Sequence, residues 1–478
     1  MTCELNRIPT KFNLCYTFIL SIIKSKKSMK YSIKVIALFL LFNITATSAF
    51  SDSGEVKFIN HSNETFMLNN TDAQKSAQLI GLPLAIPSNT DKNYSVVLSD
   101  SNIGSHYQYS SADNKLHFSI DVKSTQTYIY HHTSKQTVNY LSVNWENLLQ
   151  NSDIHYVLPL FWKDDSYLNN QAVRVDADNN AIIGIFSQEP KNVLTVMSYN
   201  TDKDGTGTDH NPQYHQTSDI LNLFTSGRIP TPDVLMIQEG LGAQDLTAYQ
   251  QALSNAAPGK WYGYYATEGS RSDSNIILVN PKYNANEIRS GTFSFQQQCG
   301  WGLIGKRNAV YIDIPMSNIL QTQMPGHFRI FDTHLESGSG SDIFLHPAQV
   351  RYAQFNEILN YPRTNVAEVV VGGDFNTMPV FDDITGLTKY QLGDLTSVFD
   401  KYLGDPTVNW GQPITCTWST CSQYTFHVGM WLDHLYSSKL STPGYKTYVL
   451  YPVVAHYVDG HSDHLPVWFT VYIDKIDS

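Results

Sequence analysis

The chain is poor in cysteine, and its few cysteines lack the spacing of a metal or redox motif. Five of the 478 residues are cysteines, and no two of them form a Cys-X-X-Cys pair. This absence excludes zinc-ribbon and thioredoxin-like proteins, which need such pairs. Three cysteines, Cys299, Cys416 and Cys421, lie beyond residue 49. Cys416 and Cys421 would close a short disulfide in an exported protein, whereas free thiols are expected in a reducing compartment.

The sequence also lacks an apolar run long enough to cross a bilayer. Its strongest runs, Phe12–Ile23 and Val35–Ile44, are shorter than the roughly 20 residues that a membrane-spanning helix needs. From Met29 onward, a basic stretch, an apolar stretch and the small residues Thr47–Ala49 follow one another, as in a secretory signal peptide. Residues 1–49 are therefore predicted to be a signal or targeting segment of a secreted or exported protein.

Positive charge is scarce in the rest of the chain. Residues 1–49 hold seven of the 32 Lys and Arg and one of the 43 Asp and Glu, which leaves 25 basic against 42 acidic residues, a net charge of −17. Such a surface does not attract polyanions over its whole area, so nucleic acid or an anionic membrane would need a local basic patch. Bound divalent cations change the field at a site, so the charge counts against nucleic acid without excluding it.

The length and the apolar pattern predict two folded domains after the targeting segment. A chain of 478 residues, 42% hydrophobic and 16% charged, is a folded protein too long for one ordinary core. In residues 50–187 short strands are separated by polar turns, and Leu116–Val122 alternates apolar and polar residues with period two. This part is predicted to be a small all-β sandwich domain, whose function the sequence does not indicate. A carbohydrate- or membrane-binding role is a hypothesis from its strands and aromatic residues alone.

Beyond a predicted linker at 187–192, strands alternate with helices. Eight apolar strand candidates fall between Val193 and Ile473, and helices are predicted at 217–225, 246–256 and 347–359. Many strands with few helices are typical of packed sheets whose outer faces helices cover. Residues 188–478 are therefore predicted to be a second domain of the α+β class.

Polar side chains follow the predicted strands of the second domain where each strand ends. In chain order they are Asn200, Glu239, His334, Asp374 with Asn376, Asp433, and Asp463 with His464. Magnesium prefers oxygen ligands in octahedral geometry. Asn200 and Glu239 are predicted to hold it directly, with Asp463 nearby, and Asp374 and Asn376 are two residues apart, so both can face one cavity. The pattern predicts a magnesium-assisted hydrolytic site.

The order of these motifs resembles the endonuclease/exonuclease/phosphatase superfamily over about residues 190–474. The resemblance implies a deoxyribonuclease-like four-layered α/β sandwich, here preceded by the all-β domain. It also implies that Asp374 positions the attacking water and that Asn376 holds a phosphate oxygen or a second metal. By the same resemblance His464 is the general base, oriented by Asp433, and His334 stabilises the pentavalent phosphorus or protonates the leaving oxygen.

Several stretches are similar to the neutral sphingomyelinases within that superfamily. They are Lys306–Tyr311, Asp332–Glu336, and Thr415–Trp418 ahead of Trp431–Asp433. This similarity implies a sphingomyelinase-like phosphodiesterase of the phospholipase C type, with a phospholipid or membrane surface as its partner. The alternative is a secreted deoxyribonuclease-like endonuclease that acts on nucleic acid. A non-catalytic binding module on the same fold would need Glu239, Asp374 or His464 to be missing, and all are present. No obligate protein partner is predicted.

A glycine-flanked apolar loop bears on the lipid hypothesis. Cys299–Gly305 carries Trp301, and an exposed aromatic tip of this kind can enter a membrane interface. The other interpretation is a buried loop that packs on the sandwich. Lys306 and Arg307 follow it directly, where they are expected to touch either lipid or DNA phosphates.

Overall fold

The computed structural model describes most of the chain beyond residue 51. The described residues are 52–128, 135–145, 148, 153–159, 170–175, 181–201, 231–267, 274–296, 307–320, 324–336, 347–376, 433–437, 444–454, 462, 464 and 466–475. The targeting segment, the predicted helix at 217–225, the loop around Trp301, all the cysteines and Asp463 lie outside these residues. The predictions made for them stay predictions.

Two β-sheets are built from residues 52–186. Sheet I has the strand order β4-β1-β10-β8 and sheet II the order β3-β2-β5-β6-β7-β9. The strands are β1 Asp52–His61, β2 Phe66–Leu68, β3 Ala85–Ile86, β4 Thr90–Leu98, β5 His106–Ser110, β6 His117–Tyr128, β7 Lys135–Asn144, β8 Tyr156–Leu158, β9 Asn170–Arg174 and β10 Ala181–Phe186. The predicted boundary between residues 187 and 188 stays a prediction, although no strand of these two sheets crosses it among the described residues.

Sheets I and II share one apolar core. Phe58 and Ile183 of sheet I and Phe118 and Val143 of sheet II belong to the same cluster of buried side chains. The alternation predicted along Leu116–Val122 is confirmed, because its apolar residues are buried and the residues between them are partly exposed. Each fully buried aliphatic or aromatic side chain in such a core contributes about 1.5–3 kcal/mol.

A helix that the sequence pattern did not predict packs on this core. Helix α1, Thr71–Ile80, buries Ala77 and Ile80, although the period-two pattern of its surroundings indicates only strands. The local signals for it are at its two ends. The side chain of Asn70 accepts the backbone N–H of Asp72, and Gly81 ends the helix in the left-handed conformation.

Two further sheets are built from residues 193–475. Sheet III has the order β13-β14-β12-β11-β21-β20 and sheet IV the order β15-β16-β17-β18-β19. The strands are β11 Val193–Asn200, β12 Val234–Gly240, β13 Tyr262–Thr267, β14 Ser274–Val279, β15 Arg289–Ser294, β16 Asn308–Pro315, β17 His327–His334, β18 Val366–Asp374, β19 Asp433–Ser437, β20 Tyr445–Val454 and β21 Val467–Lys475. The helices are α2 Ala243–Ala256, α3 Met316–Leu320 and α4 Pro347–Leu359.

Sheets III and IV pack face to face between helices. Val196 and Met236 of sheet III and Val310 and Ile330 of sheet IV belong to one buried cluster. Helix α4 covers the outer face of sheet IV with a second cluster of buried residues, which includes Phe355. Helix α2 lies against sheet III, where it buries Tyr249 and Leu253. The predicted four-layered α/β sandwich is confirmed, and so are the helices predicted at 246–256 and 347–359.

Buried contacts connect the sheets of residues 52–186 to those of residues 193–475. Phe186 of sheet I lies in one apolar cluster with Tyr448 and Tyr472 of sheet III. The ammonium group of Lys57 pairs with Asp474 of β21 and with Asp91, which lies 2.8 Å away.

None of the helices in the described part of the chain is both long enough and apolar enough to span a membrane.

We expect that Gly373→Ala strongly destabilises the fold. Gly373 has φ +135°, and a Cβ there would lie 1.8 Å from the backbone oxygen of Thr333. The strained φ costs about 1–3 kcal/mol and the overlap roughly 1–3 kcal/mol more. Gly444→Ala is the matched control, since Gly444 also has a positive φ but open space around it. Calorimetric unfolding should show a clearly larger loss of thermal stability for Gly373→Ala, and equal losses would contradict the steric argument.

Candidate active site

Strand ends from sheets III and IV meet at the same edge of the sandwich. β11 and β12 are parallel, as are β17 and β18, so each pair ends at this edge. β21 is antiparallel to β11 and β19 to β18, so both begin where their partners end. The register places His334, Asp374 and Asp433 side by side across three strands. The topology thus brings together residues that are far apart in the sequence.

The carboxylate of Asp374 lies at the centre of this group and is 2% exposed. Its Oδ2 accepts a hydrogen bond from Asn200 Nδ2 at 3.0 Å. The same oxygen lies 3.4 Å from Nε2 of His334 and 3.7 Å from Nε2 of His464. Its other oxygen, Oδ1, accepts the backbone N–H of Asn376 at 2.8 Å. Asp374 therefore contacts side chains from both sheets.

The charge of Asp374 is costly at this position. Burial raises the pKa of this carboxyl, the electrostatic interaction with His464 opposes the rise, and the negative charge of Asp433 adds to it. The hydrogen bonds from Asn376 and Asn200 also favour the ionised form. A buried carboxylate of this kind needs nearby donors or a cation to remain charged.

His464 and Asp433 form a close pair. Nδ1 of His464 lies 2.7 Å from Oδ2 of Asp433, and both residues are buried. Because the carboxylate accepts a hydrogen bond from the N–H at Nδ1, Nε2 is the nitrogen of the neutral ring that carries the lone pair. Nε2 faces Asp374 and lies 3.5 Å from Nδ2 of Asn200. This is the arrangement of an oriented general base.

Ser462 anchors the segment that carries His464. Its Oγ donates to the backbone oxygen of Asn200 at 2.8 Å and accepts the backbone N–H of His464 at 3.0 Å. The hydroxyl therefore links the residues ahead of β21 to the end of β11. Sequence reasoning did not assign a role to Ser462.

Glu239 reaches the site through an irregular strand end. The pairing of β12 with β14 shifts register between Ile237 and Gly240, and Glu239 has φ 58°. A left-handed conformation at a non-glycine residue costs about 1–2 kcal/mol and is typical of functional positions. Oε1 of Glu239 accepts from Asn200 Nδ2 at 3.2 Å. Its side chain is 16% exposed, more than that of Asp374 or His334.

His334 lies between a guanidinium and two carboxylates. Nη1 of Arg307 donates to Nδ1 of His334 at 2.6 Å, and both side chains are buried. Nε2 of His334 lies 3.7 Å from Oε1 of Glu239, besides its approach to Asp374. The guanidinium of Arg307 therefore lies against His334, and its expected contact with a substrate phosphate stays a prediction.

Asn376 joins the site through its backbone. Besides the N–H bonded to Asp374, its Nδ2 donates to the backbone oxygen of Leu335 at 3.1 Å. Asn376 has φ 50°, a conformation that asparagine tolerates better than most residues. The predicted contact of its side chain with a phosphate oxygen or a second metal stays a prediction.

A buried polar chain lies next to the site residues. Gln238 Nε2 donates to Asp332 Oδ1 at 2.6 Å and to Ser198 Oγ at 3.2 Å, so it crosses from sheet III to sheet IV. Gln238 directly precedes Glu239, and Asp332 lies two residues before His334. The chain therefore ties the strands that carry the catalytic candidates to each other.

The described residues hold two groups of acidic and histidine side chains that could bind a metal ion. One consists of Glu239, His334 and Asp374, and the other of Asp374, Asp433 and His464. Within each group the ligand atoms lie within 4.8 Å of one another. Asp374 belongs to both groups.

The structure brings together most of the residues that the sequence indicated. Asn200, Glu239, His334, Asp374, Asp433 and His464 form one cluster, Asn376 flanks it, and Asp463 lies outside the described residues. Sequence reasoning missed Ser462, Gln238 and Asp332, and it did not place Arg307 at His334. Ser462 stands two residues before His464 and Asp332 two before His334, so proximity along the chain was the available signal. Arg307 is 27 residues from His334, and no spacing indicates their contact.

Comparison with known proteins adds the family. A model of the Endonuclease/Exonuclease/phosphatase family matches residues 197–464. Among solved structures, the chain is similar to the human Nocturnin catalytic domain, with 15% identity over 60% of this chain and 97% of that one and a TM-score of 0.38. An endonuclease/exonuclease/phosphatase from Beutenbergia cavernae has 16% identity over 59% of this chain and 72% of that one, with a TM-score of 0.41. Sphingomyelinase C from Streptomyces griseocarneus has 18% identity over 58% of this chain and 99% of that one, with a TM-score of 0.38. No curated protein matches the chain. The family match spans more than half of the sequence, and the chain therefore belongs to the Endonuclease/Exonuclease/phosphatase family of phosphoester hydrolases.

Proposed function

We propose that the protein is a divalent-metal-dependent phosphodiesterase that cleaves a phosphate ester by attack of water. The observation that carries this proposal is the pair of His464 and Asp433, in which Nε2 of His464 faces Asp374 within a buried cluster. A histidine held in this way accepts a proton from a water molecule beside it. The neighbouring carboxylates and amide supply positions for a cation and for the phosphoryl group.

The proposed reaction uses His464 as the base. The water oxygen forms a bond to phosphorus while one of its protons moves to Nε2 of His464. The ester P–O bond breaks, its electron pair stays on the leaving oxygen, and that oxygen takes a proton from solvent. Asp433 stabilises the resulting imidazolium through the 2.7 Å contact with Nδ1. Asp374 lies 3.7 Å from the same imidazole, where its carboxylate can orient the water.

The donor set suits a hard divalent cation. Nδ2 of Asn200 donates to Oε1 of Glu239 at 3.2 Å and to Oδ2 of Asp374 at 3.0 Å, so one amide and two carboxylates lie together. The amide oxygen of Asn200 would face a cation between them once the amide group turns over. We assign Asn200 and Glu239 as the residues that would hold Mg²⁺, and the predicted contribution of Asp463 stays open. When bound, the ion supplies Lewis-acid stabilisation of the charge on the phosphoryl oxygens.

The proposed substrate is a phospholipid of the sphingomyelin type, presented at a membrane surface. Two stretches that resemble neutral sphingomyelinases lie side by side at the site, since Ala309 in β16 pairs with Thr333 in β17. The net charge of −17 beyond residue 49 disfavours a polyanionic nucleic acid as the substrate. Export to the cell exterior, predicted from residues 1–49, is consistent with this substrate and stays a prediction.

We expect that His464→Ala and Asp433→Asn each lower kcat by about 10²- to 10⁴-fold, because each removes the oriented base. His327→Ala is the matched control, since His327 lies at the other end of β17 and is partly exposed. Steady-state kinetics on bis(4-nitrophenyl) phosphate measure the effect. Full activity of His464→Ala would remove it as the base.

We expect chelation to abolish hydrolysis and Mg²⁺ to restore it. Glu239→Gln should raise the Mg²⁺ concentration for half-maximal activity by at least about 10-fold, because it removes one anionic oxygen ligand. The control is Glu287→Gln, an exposed residue between β14 and β15. Activity that persists in excess chelator would exclude the metal-dependent mechanism.

We expect the purified protein to release phosphocholine from sphingomyelin liposomes faster than it cleaves phosphoinositide vesicles or plasmid DNA. All three substrates are assayed with Mg²⁺ in parallel, and His464→Ala reports any contaminating hydrolase. Nicking of plasmid DNA without lipid hydrolysis would replace the phospholipid proposal with the endonuclease alternative.

A further inference from the structure

The two histidines of the site have opposite partners on Nδ1. In His464 this nitrogen faces the carboxylate of Asp433 at 2.7 Å. In His334 it faces the guanidinium of Arg307 at 2.6 Å. A carboxylate accepts a hydrogen bond, whereas a guanidinium has donors only. The two imidazoles therefore carry their protons on different nitrogens.

The contact with Arg307 determines the tautomer of His334. Since Arg307 must donate, Nδ1 of His334 must accept, and the single proton of the neutral ring lies on Nε2. That N–H is directed at the centre of the site, 3.4 Å from Oδ2 of Asp374 and 3.7 Å from Oε1 of Glu239. Protonation of the ring at both nitrogens would set an N–H against the guanidinium.

Arg307 is itself held in place by the backbone around it. Its carbonyl oxygen accepts the backbone N–H of Phe295 at 3.2 Å, and its side chain is buried. The next residue, Asn308, donates from Nδ2 to the backbone oxygen of Thr267 at 3.1 Å. Asn275 Nδ2 donates to the backbone oxygen of Asn308 at 3.2 Å. These bonds tie the start of β16 to β14 and to the end of β13, so they fix the backbone from which Arg307 reaches His334.

We propose that Arg307 is a positioning residue that makes Nδ1 of His334 a hydrogen-bond acceptor and so leaves the ring proton on Nε2. In this form His334 donates a hydrogen bond to a phosphoryl oxygen and does not protonate the leaving group. Loss of the Nε2 proton from a neutral ring would produce an imidazolate, which is far less favourable than loss from an imidazolium. The resemblance left two roles for His334, and the contact with Arg307 selects the stabilising one. The inference rests on the proposed phosphodiesterase function.

The first test reads the tautomer without any substrate. Long-range ¹H–¹⁵N spectra of the full chain labelled with ¹⁵N-histidine distinguish protonated from unprotonated ring nitrogens, and His334→Gln identifies the signals of His334. We expect an unprotonated Nδ1 and a protonated Nε2 in the wild type, and a shift toward protonated Nδ1 in Arg307→Met. A protonated Nδ1 in the wild type would overturn the proposal.

The second test compares leaving groups. Bis(4-nitrophenyl) phosphate has a good leaving group that needs no proton, and diphenyl phosphate has a poorer one. For each variant, His334→Ala or Arg307→Met, we expect the loss in kcat to be the same on the two esters. For Arg307→Met this loss is expected to be about 10- to 100-fold. A loss that is much larger on diphenyl phosphate would identify His334 as a general acid and refute the proposal.

A conservative variant separates positioning from folding. Arg307→Lys keeps a cationic donor, so it is expected to preserve the wild-type tautomer and to retain more activity than Arg307→Met. If Arg307→Lys matches Arg307→Met in both measurements, a hydrogen-bond donor at position 307 does not determine the tautomer of His334, and the proposal is refuted. If the wild type hydrolyses no phosphodiester, the proposed function fails, while the nitrogen spectra still decide the tautomer.

Discussion

The buried carboxylate of Asp374 is the constraint around which the site is organised. A charge removed from water must be compensated by donors or by a cation, and burial already raises the pKa of this group. Its neighbours come from both sheets, with Asn200 at the end of β11 and His334 at the end of β17. The face-to-face packing of sheets III and IV is therefore what makes an ionised Asp374 tolerable. Loss of that packing would separate the acid from its donors.

Around this carboxylate, one residue type serves two purposes. His464 and His334 both direct Nε2 toward Asp374, at 3.7 and 3.4 Å. A carboxylate behind His464 leaves its Nε2 as an acceptor, whereas a guanidinium behind His334 makes its Nε2 a donor. The group bonded to Nδ1 thus determines whether Nε2, the nitrogen that faces Asp374, accepts or donates a hydrogen bond. In the proposed reaction, His464 as the base and His334 as the charge-stabilising donor therefore face the same phosphoryl group without exchanging roles.

Backbone strain delivers part of this geometry. Glu239 and Asn376 have positive φ angles, and Gly373 adopts a φ that side chains rarely allow. Each such position costs of order 1–3 kcal/mol and is tolerated only where the surroundings determine the conformation strongly. The buried clusters on both faces of sheet IV hold the backbone in these conformations. The rigid sandwich therefore supports a strained edge, and the candidate active site lies at that edge.

The sequence by itself determined the fold class and most of the cluster. Apolar periodicity marks β11, β12, β17 and β18, and the polar residues at their ends are visible without any structure. It did not indicate α1, whose signals are only its caps, or strands such as β13 and β15, which are partly exposed and do not alternate clearly. Only the tertiary structure decided which atoms face one another. The contacts between Arg307 and His334 and between Asp433 and His464 join residues 27 and 31 positions apart, and strand pairing, which local pattern does not encode, sets those distances.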